Sequence, residues 1–577
     1  MKQNIRLFSA PSFFWSKLLD SNPQLFRELQ GKLKTRNVVM AAASAVIIQF
    51  MAVIFLLGQL PDKKLEWTEC GRYGLALVYQ EYSNQVCYAQ NEAGSWVINW
   101  QLWWLDLFII LSITSIFALL VVGTYLLIAD TVQEESRGTL NFIRLTPQSA
   151  GSVLLGKILG VPILVYTAIA LLLPLHLVAG LQSHIPLGLI LAFDLTVVAS
   201  CAFFYCLALL WSLLDLGVSG FKSWFASGLL GFLLLFSTVI LFGADVKSNH
   251  FLAWTLMFHP GIVLTYLIDA SHLRFGTINF LSTDNLAELS FYGQALWTNT
   301  TVGIGLIFLN FSLWTYWCWA VLKRRFHNPQ KTILSKVHSY WLTAWFALIS
   351  LGFTLQTEAA NLSGDIYLIS NNFVFLQVCL SLFGLGLIFA LSPHRQTLYD
   401  WARYRHQSQG NSLWKELVLG ENSPSTIAIV INLAIAITFI SPSIFLLLPQ
   451  SHQYVFWGLI LSATNILLYA VIAQFLLTIK TRKRAVWSIA TVSSMIILPP
   501  VCLGIAQLTI PTIPQVWLLS FVPLVATKYV SFAGIALAIL GQWLAISVIS
   551  LQMTRKLKQA GASSTKILLN RVHALSD

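Results

Sequence analysis

Stretches of about twenty apolar residues recur along the whole chain, and no other feature of the sequence limits its fold so strongly. Crossing about 30 Å of hydrocarbon takes about 20 helical residues. Twelve runs reach that length, near residues 38–60, 102–129, 152–180, 185–213, 224–243, 299–321, 339–357, 372–392, 425–448, 454–479, 486–509 and 529–552. Only 10% of the 577 residues are charged and 56% are hydrophobic, whereas a soluble domain carries about 25% charged residues. One aqueous core cannot absorb that much apolar surface, so the bilayer is the solvent. Inside hydrocarbon each span must satisfy its own backbone polar groups, which selects helices. The expected class is all-α, a polytopic membrane protein of about twelve transmembrane helices.

The cations give the orientation. With the N-terminus inside, the inner segments hold 29 of the 35 Lys and Arg residues, while acidic residues divide almost evenly. A bias in cations alone is the positive-inside pattern. It puts both termini in the cytoplasm; the expected location is the plasma (inner) membrane. It also accounts for the net charge of +12 without a nucleic-acid partner. No basic start, short apolar core and small-residue site precede Asn22, so no cleavable signal peptide is expected.

The loops repeat a plan. Each half has a long inner loop after its second span, a short one after its fourth and a basic segment after its sixth. The pattern suggests a 6+6 architecture: an N-terminal interfacial amphipathic helix within 1–37, a first six-span unit over 38–336, and a diverged second unit over 337–577 with a basic cytoplasmic tail. Leu25, Phe26, Leu29 and Leu33 share one arc of the N-terminal helix, which suits a helix lying at the inner interface. Two outer segments, within 244–298 and 510–528, are too apolar for plain loops and are expected to form short re-entrant or interfacial helices. Cys70 and Cys87 share the first outer loop and form a disulfide if that face is oxidising; the other five cysteines lie in apolar spans. No Cys/His spacing matches a metal site.

The inner loop at 130–151 carries the most information. It reads Glu134, Glu135, Arg137, Gly138, Thr139, then Leu140, Phe142, Ile143 and Leu145, then Thr146, Pro147, Gln148 and Ser149. Leu140, Phe142 and Ile143 are expected to give a short helix an apolar face, with the glutamates at its N-terminus favoured by the helix dipole. Thr146-Pro147 ends it, because the residue before proline avoids helical dihedrals, and Ser149 is placed to cap the next span. A partner docking on that helix would move spans 2 and 3 together.

The run E-x-x-R-G-T, then T-P-x-S, then G-K at the start of span 3, resembles the coupling loop of type 2 ATP-binding-cassette exporter permeases. That resemblance implies a permease subunit whose loop, through Glu134, Arg137, Gly138, Thr139, Thr146, Pro147 and Ser149, touches a separate nucleotide-binding subunit. ATP and Mg²⁺ belong to that partner, and this chain holds no cofactor and performs no chemistry. Asn141 stands where the family usually has Glu. The second-half loop lacks both blocks apart from Ser423-Pro424. One fused chain forming the pathway and a dimer with a second permease chain therefore both remain open.

Other features point less sharply. Asp194 lies about a third of the way into span 4 and is a candidate pathway residue, since intramembrane carboxylates are costly and by default functional; Thr196 and Ser200, or a neighbouring helix, are its expected partners. His176 is expected near the outer interface. Pro162 and Pro174 are expected to kink span 3. Two rival functions are an ion-coupled secondary transporter and a membrane-embedded sugar transferase using a lipid-linked donor, the latter with Glu66 and Glu69 as its acids. Gly151 to Lys157 mimics a phosphate-binding loop, but Ile158 replaces the Mg²⁺-binding hydroxyl and the segment opens a transmembrane helix. Lys157 is expected to snorkel to the inner headgroups.

Overall fold

The computed structural model describes residues 21–60, 73, 76–78, 87–88, 98–214, 220–242, 253–273, 289–355, 362–407, 412–448, 452–481 and 483–561. Regular structure there is helical, apart from a short antiparallel ladder of β1 (Ala76–Val78) with β2 (Cys87–Tyr88) and an isolated bridge between Phe291 and Gln294. Eleven of the described helices are long and apolar enough to cross a membrane. The expected seventh span falls on a nineteen-residue helix, Lys336–Thr354, which is not among the eleven. Lys336, His338, Ser339 and Tyr340 make its first turn polar.

The chain divides into two compact units. Among the described residues, the first runs to His327 and the second begins at Asn328, with residues 290–294 also belonging to the second. The expected boundary lay nine residues further on, at 336/337.

The first unit opens with α1 (Pro23–Lys32) and the apolar α2 (Thr35–Leu57). Asn22 caps α1, its Oδ1 accepting from the Leu25 amide at 3.0 Å. The next span is one continuous rod from Trp100 to Ser136: α3 (Trp100–Phe117), a single π-helical turn at Ala118–Val122, and α4 (Gly123–Ser136). The Tyr205 hydroxyl donates to the Leu119 carbonyl in that turn at 2.7 Å. At 1.5 Å per residue, the rod is about 55 Å long and overshoots the hydrocarbon.

A helical turn, α5 (Thr139–Arg144), follows, and then the third span in two pieces, α6 (Ala150–Gly160) and α7 (Ile163–Gln182). Pro162 causes the break. It has no amide for the Ile158 carbonyl, which accepts instead from the Tyr166 hydroxyl at 2.9 Å. The Val165 amide turns to Pro162 O at 2.8 Å, and the vacated Val161 carbonyl accepts from Lys32 Nζ at 3.2 Å. Pro174, by contrast, lies within continuous helix. α8 (Leu187–Ser212), α9 (Lys222–Phe242) and α12 (Thr300–His327) complete the six long helices of this unit. Between the last two lie α10 (Ala253–Leu256), a 3₁₀ turn at Pro260–Val263 and α11 (Leu264–Ala270). Residues 260–267 are all buried, so this apolar outer segment packs as short helices, none long enough to span.

The second unit is built around α18 (His452–Leu477), the most deeply enclosed of the eleven. Packed against it are α14 (Leu362–Leu391), α17 (Thr426–Leu447), α19 (Arg484–Ile505), α21 (Leu524–Thr527) and α22 (Phe532–Gly561). α13 (Lys336–Thr354) packs on α17, α15 (Arg395–Gln407) on α22, and α16 (Leu413–Leu419) on α17; α20 (Pro514–Trp517) lies beside α21. Polar pairs tie these helices together, as is usual where lipid removes the hydrophobic drive between spans. Thr343 donates to Asn432 Oδ1 at 2.8 Å, Asn432 donates to Ser339 Oγ at 3.0 Å, and Gln542 donates to Asn465 Oδ1 at 2.8 Å. Lys336 Nζ closes the second-half inner loop by donating to Leu417 O, Ser423 Oγ and Pro424 O.

Candidate functional site

One end of the first unit gathers most of the singled-out residues. Arg137 ends α4, and Gly138 turns the chain with φ of +73°, a left-handed conformation that glycine adopts without penalty. Six residues of α5 follow, and a helix advances 100° per residue. Leu140 and Ile143 therefore share a face and are buried. Phe142, about 200° from Leu140, points the other way and is 73% exposed, as is Leu145 at 85%. The expectation of one apolar face is thus corrected to two: an inner face anchored to the unit and an outer pair of bare hydrophobic side chains. Arg144 lies over the Phe326 ring at 5.7 Å and donates to Asn141 Oδ1 at 2.9 Å. Partial burial lowers its pKa, with Glu135 acting in opposition.

The rest of the loop is fixed by short-range bonds. Thr139 donates to the Glu134 carbonyl at 3.1 Å and Thr146 to the Ile143 carbonyl at 2.7 Å. Ser149 caps α6, its hydroxyl accepting from the Ser152 amide at 3.1 Å. Arg137, Gly138, Thr139, Pro147 and Ser149 are exposed and Thr146 is half-buried. Glu134 is turned inward.

Behind α5 lies an ionic cluster. Lys157 is 1% exposed, its ammonium 2.8 Å from Asp130 and 2.7 Å from Glu134. Snorkelling is therefore overturned: the break at Pro162 and the carboxylates of α4 enclose this side chain. From α1, Lys32 reaches Asp130 at 3.5 Å and Glu28 at 3.4 Å, while Arg27 pairs with Glu28 at 3.1 Å and also with Glu134. Burial opposes the Arg27 cation, but the Glu134 and Glu28 charges outweigh it and raise its pKa. Glu28, Asp130 and Glu134 bring oxygens within 4.8 Å of one another, close enough to share a cation, and three side-chain cations already lie among them.

α1 can come this close because α6 has no side chain in the way. A Cβ on Gly156 would lie 2.8 Å from the Leu25 amide nitrogen, and one on Gly160 would lie 2.5 Å from Glu28 Cβ. Gly156, the second glycine of the phosphate-loop mimic, and Gly160 beyond it form a groove for α1. Sequence reasoning missed this cluster; its signals were Asp130 and Glu134 one turn apart on α4, and Glu28 and Lys32 one turn apart on α1.

Asp194 sits elsewhere, on α8. Its expected partners are otherwise engaged: Thr196 bonds Ala192 O and Ser200 bonds Val197 O. The nearest ionisable group is His176, with Nδ1 3.9 Å from Asp194 Oδ1. His176 is buried and stacks on Phe108 at 4.4 Å. Of the disulfide candidates, Cys70 lies outside the described residues and Cys87 is placed only as backbone in β2. Glu66 and Glu69 also lie outside them.

No protein-family model, no curated protein and no solved structure matches this chain.

Proposed function

We propose that this chain is the membrane-spanning permease subunit of an ATP-driven transporter of the ATP-binding-cassette type, an exporter served by a separate nucleotide-binding subunit that carries ATP and Mg²⁺. The observation that carries the reading is the two-faced α5. Its buried side is fixed to the unit, its exposed side offers Phe142 and Leu145 beside Arg137 and Thr139, and it joins the end of the long rod to the start of the third span. Closure of the ATPase subunits pushes this turn, and the push reaches both spans. The ionic cluster extends the same push to α1. In this reading the loop faces the cytoplasm, both termini are cytoplasmic, and the pathway is formed by one chain or by a pair.

Purification in mild detergent tests the reading. An ATPase subunit is expected to co-purify, identified by vanadate-sensitive ATP hydrolysis. Phe142→Asp with Leu145→Asp, or Arg137→Glu with Thr139→Asp, is expected to lower its association at least tenfold while the chain elutes unchanged. Undiminished association in both variants would sink the proposal. The intramembrane His176 and Asp194 favour a second reading, an ion-coupled carrier, in which no ATPase is retained and those two residues are essential.

A further inference from the structure

The surroundings of His176 fix where its proton is. The Ser112 hydroxyl has one hydrogen, and the Phe108 carbonyl 2.7 Å away can only accept it. Bonding of a serine back to the preceding helical turn is a common pattern. Ser112 Oγ also lies 2.9 Å from His176 Nε2; with the serine hydrogen given to Phe108 O, the serine oxygen accepts at this contact and the proton is assigned to Nε2. A neutral imidazole protonated on Nε2 has a bare lone pair on Nδ1. That atom is buried without a hydrogen-bond partner, in a side chain 5% exposed, and it faces Asp194 Oδ1 at 3.9 Å. Two acceptors thus oppose each other at membrane depth. Among the described residues, no Lys or Arg pairs with Asp194.

We propose that His176 and Asp194 form a binding site for the ammonium group of an amphipathic amine. The gap exceeds the roughly 2.7–3.2 Å of a direct N–H···O bond, and an ammonium nitrogen about 2.8 Å from both atoms would donate to each once the imidazole edge, enclosed in this structure, turns toward it. Phe108 and Phe193 flank the imidazole, with ring centroids 4.4 and 6.0 Å from it, and aromatic faces favour a cation. Asp194 is 29% exposed, so a ligand meets the carboxylate first and reaches His176 Nδ1, enclosed here, as the ring turns outward. The apolar flanks of the helices suit the tail. As a cargo site this rests on the transport reading; as an ammonium site it does not, and its test needs neither ATP nor a partner.

The full chain in detergent is titrated with dodecylamine, dodecyltrimethylammonium and dodecanol, following quenching of tryptophan fluorescence. Dodecylamine is expected to bind at least tenfold more tightly than the quaternary amine, which has charge but no N–H, or the alcohol. Asp194→Asn should abolish that preference. His176→Phe, which keeps the ring stack, should reduce it several-fold, and Asp194→Glu should retain part of it, separating loss of the site from loss of the fold. Equal binding of the three probes, or a preference untouched by Asp194→Asn and His176→Phe, overturns the site. Proton uptake on acidification without any preference for the amine shows a proton-only site and overturns it as well.

Discussion

Lys157 holds two carboxylates of a neighbouring helix with a single buried ammonium. Removing one member of such a group leaves the others desolvated and unbalanced, at a cost of about 3–5 kcal/mol. Lys157→Met is therefore expected to lower thermal stability in detergent substantially, and adding Glu134→Gln should recover part of the loss. Recovery can be read from the melting curves of the two variants, and a second substitution that only adds to the first would contradict the charge argument. This residue was visible in the sequence but its environment was not. Asp130 lies 27 positions earlier and α1 lies further still, and the local pattern of a lysine near the end of an apolar run is the same whether the side chain meets headgroups or carboxylates. Ser149, whose cap reaches three residues ahead, was legible because everything it needs is local. Asp194 was legible as an anomaly; His176 and Ser112 became its company only through the packing of three spans.

At the scale of elements, the spans, the break at Pro162 and the amphipathic α1 follow from hydropathy, proline chemistry and helical periodicity. The docking of α1 does not, because Gly156 reads equally well as part of a nucleotide motif and Gly160 as one more small residue in an apolar run. Gly156→Leu is expected to push α1 off α6. Limited proteolysis should then cut between Arg27 and Lys34 at least several-fold faster, while cleavage in the second unit is unchanged. If α1 stays protected, the groove is not what holds it. The two outer apolar segments show the complementary limit. Composition marks them as buried, and their prolines mark them as interrupted, but only the fold shows that they pack as short helices with residues 260–267 enclosed.

For the whole molecule, the sequence indicates a helical membrane protein in two parts, and the structure places the division at His327/Asn328. The eleven apolar helices with α13 beside them leave the path of the chain to be measured. Single cysteines replacing Gln148 and Lys415, in a background without the native cysteines, are expected to react with an impermeant maleimide only after the inner face is opened. Labelling of either one from the outside would reverse the proposed orientation. The long rod from Trp100 to Ser136 sets a further constraint, since it carries Ser112 about a third of the way along, before the π turn, and Asp130 and Glu134 near its far end. A π turn holds one residue more than an α turn, so it puts the two stretches of the rod out of phase by about 100°. If that turn tightened to α geometry, the rod would act as a screw: Glu134 would swing about 100° around the axis relative to Ser112, withdrawing its carboxylate from Lys157 without any bend in the rod.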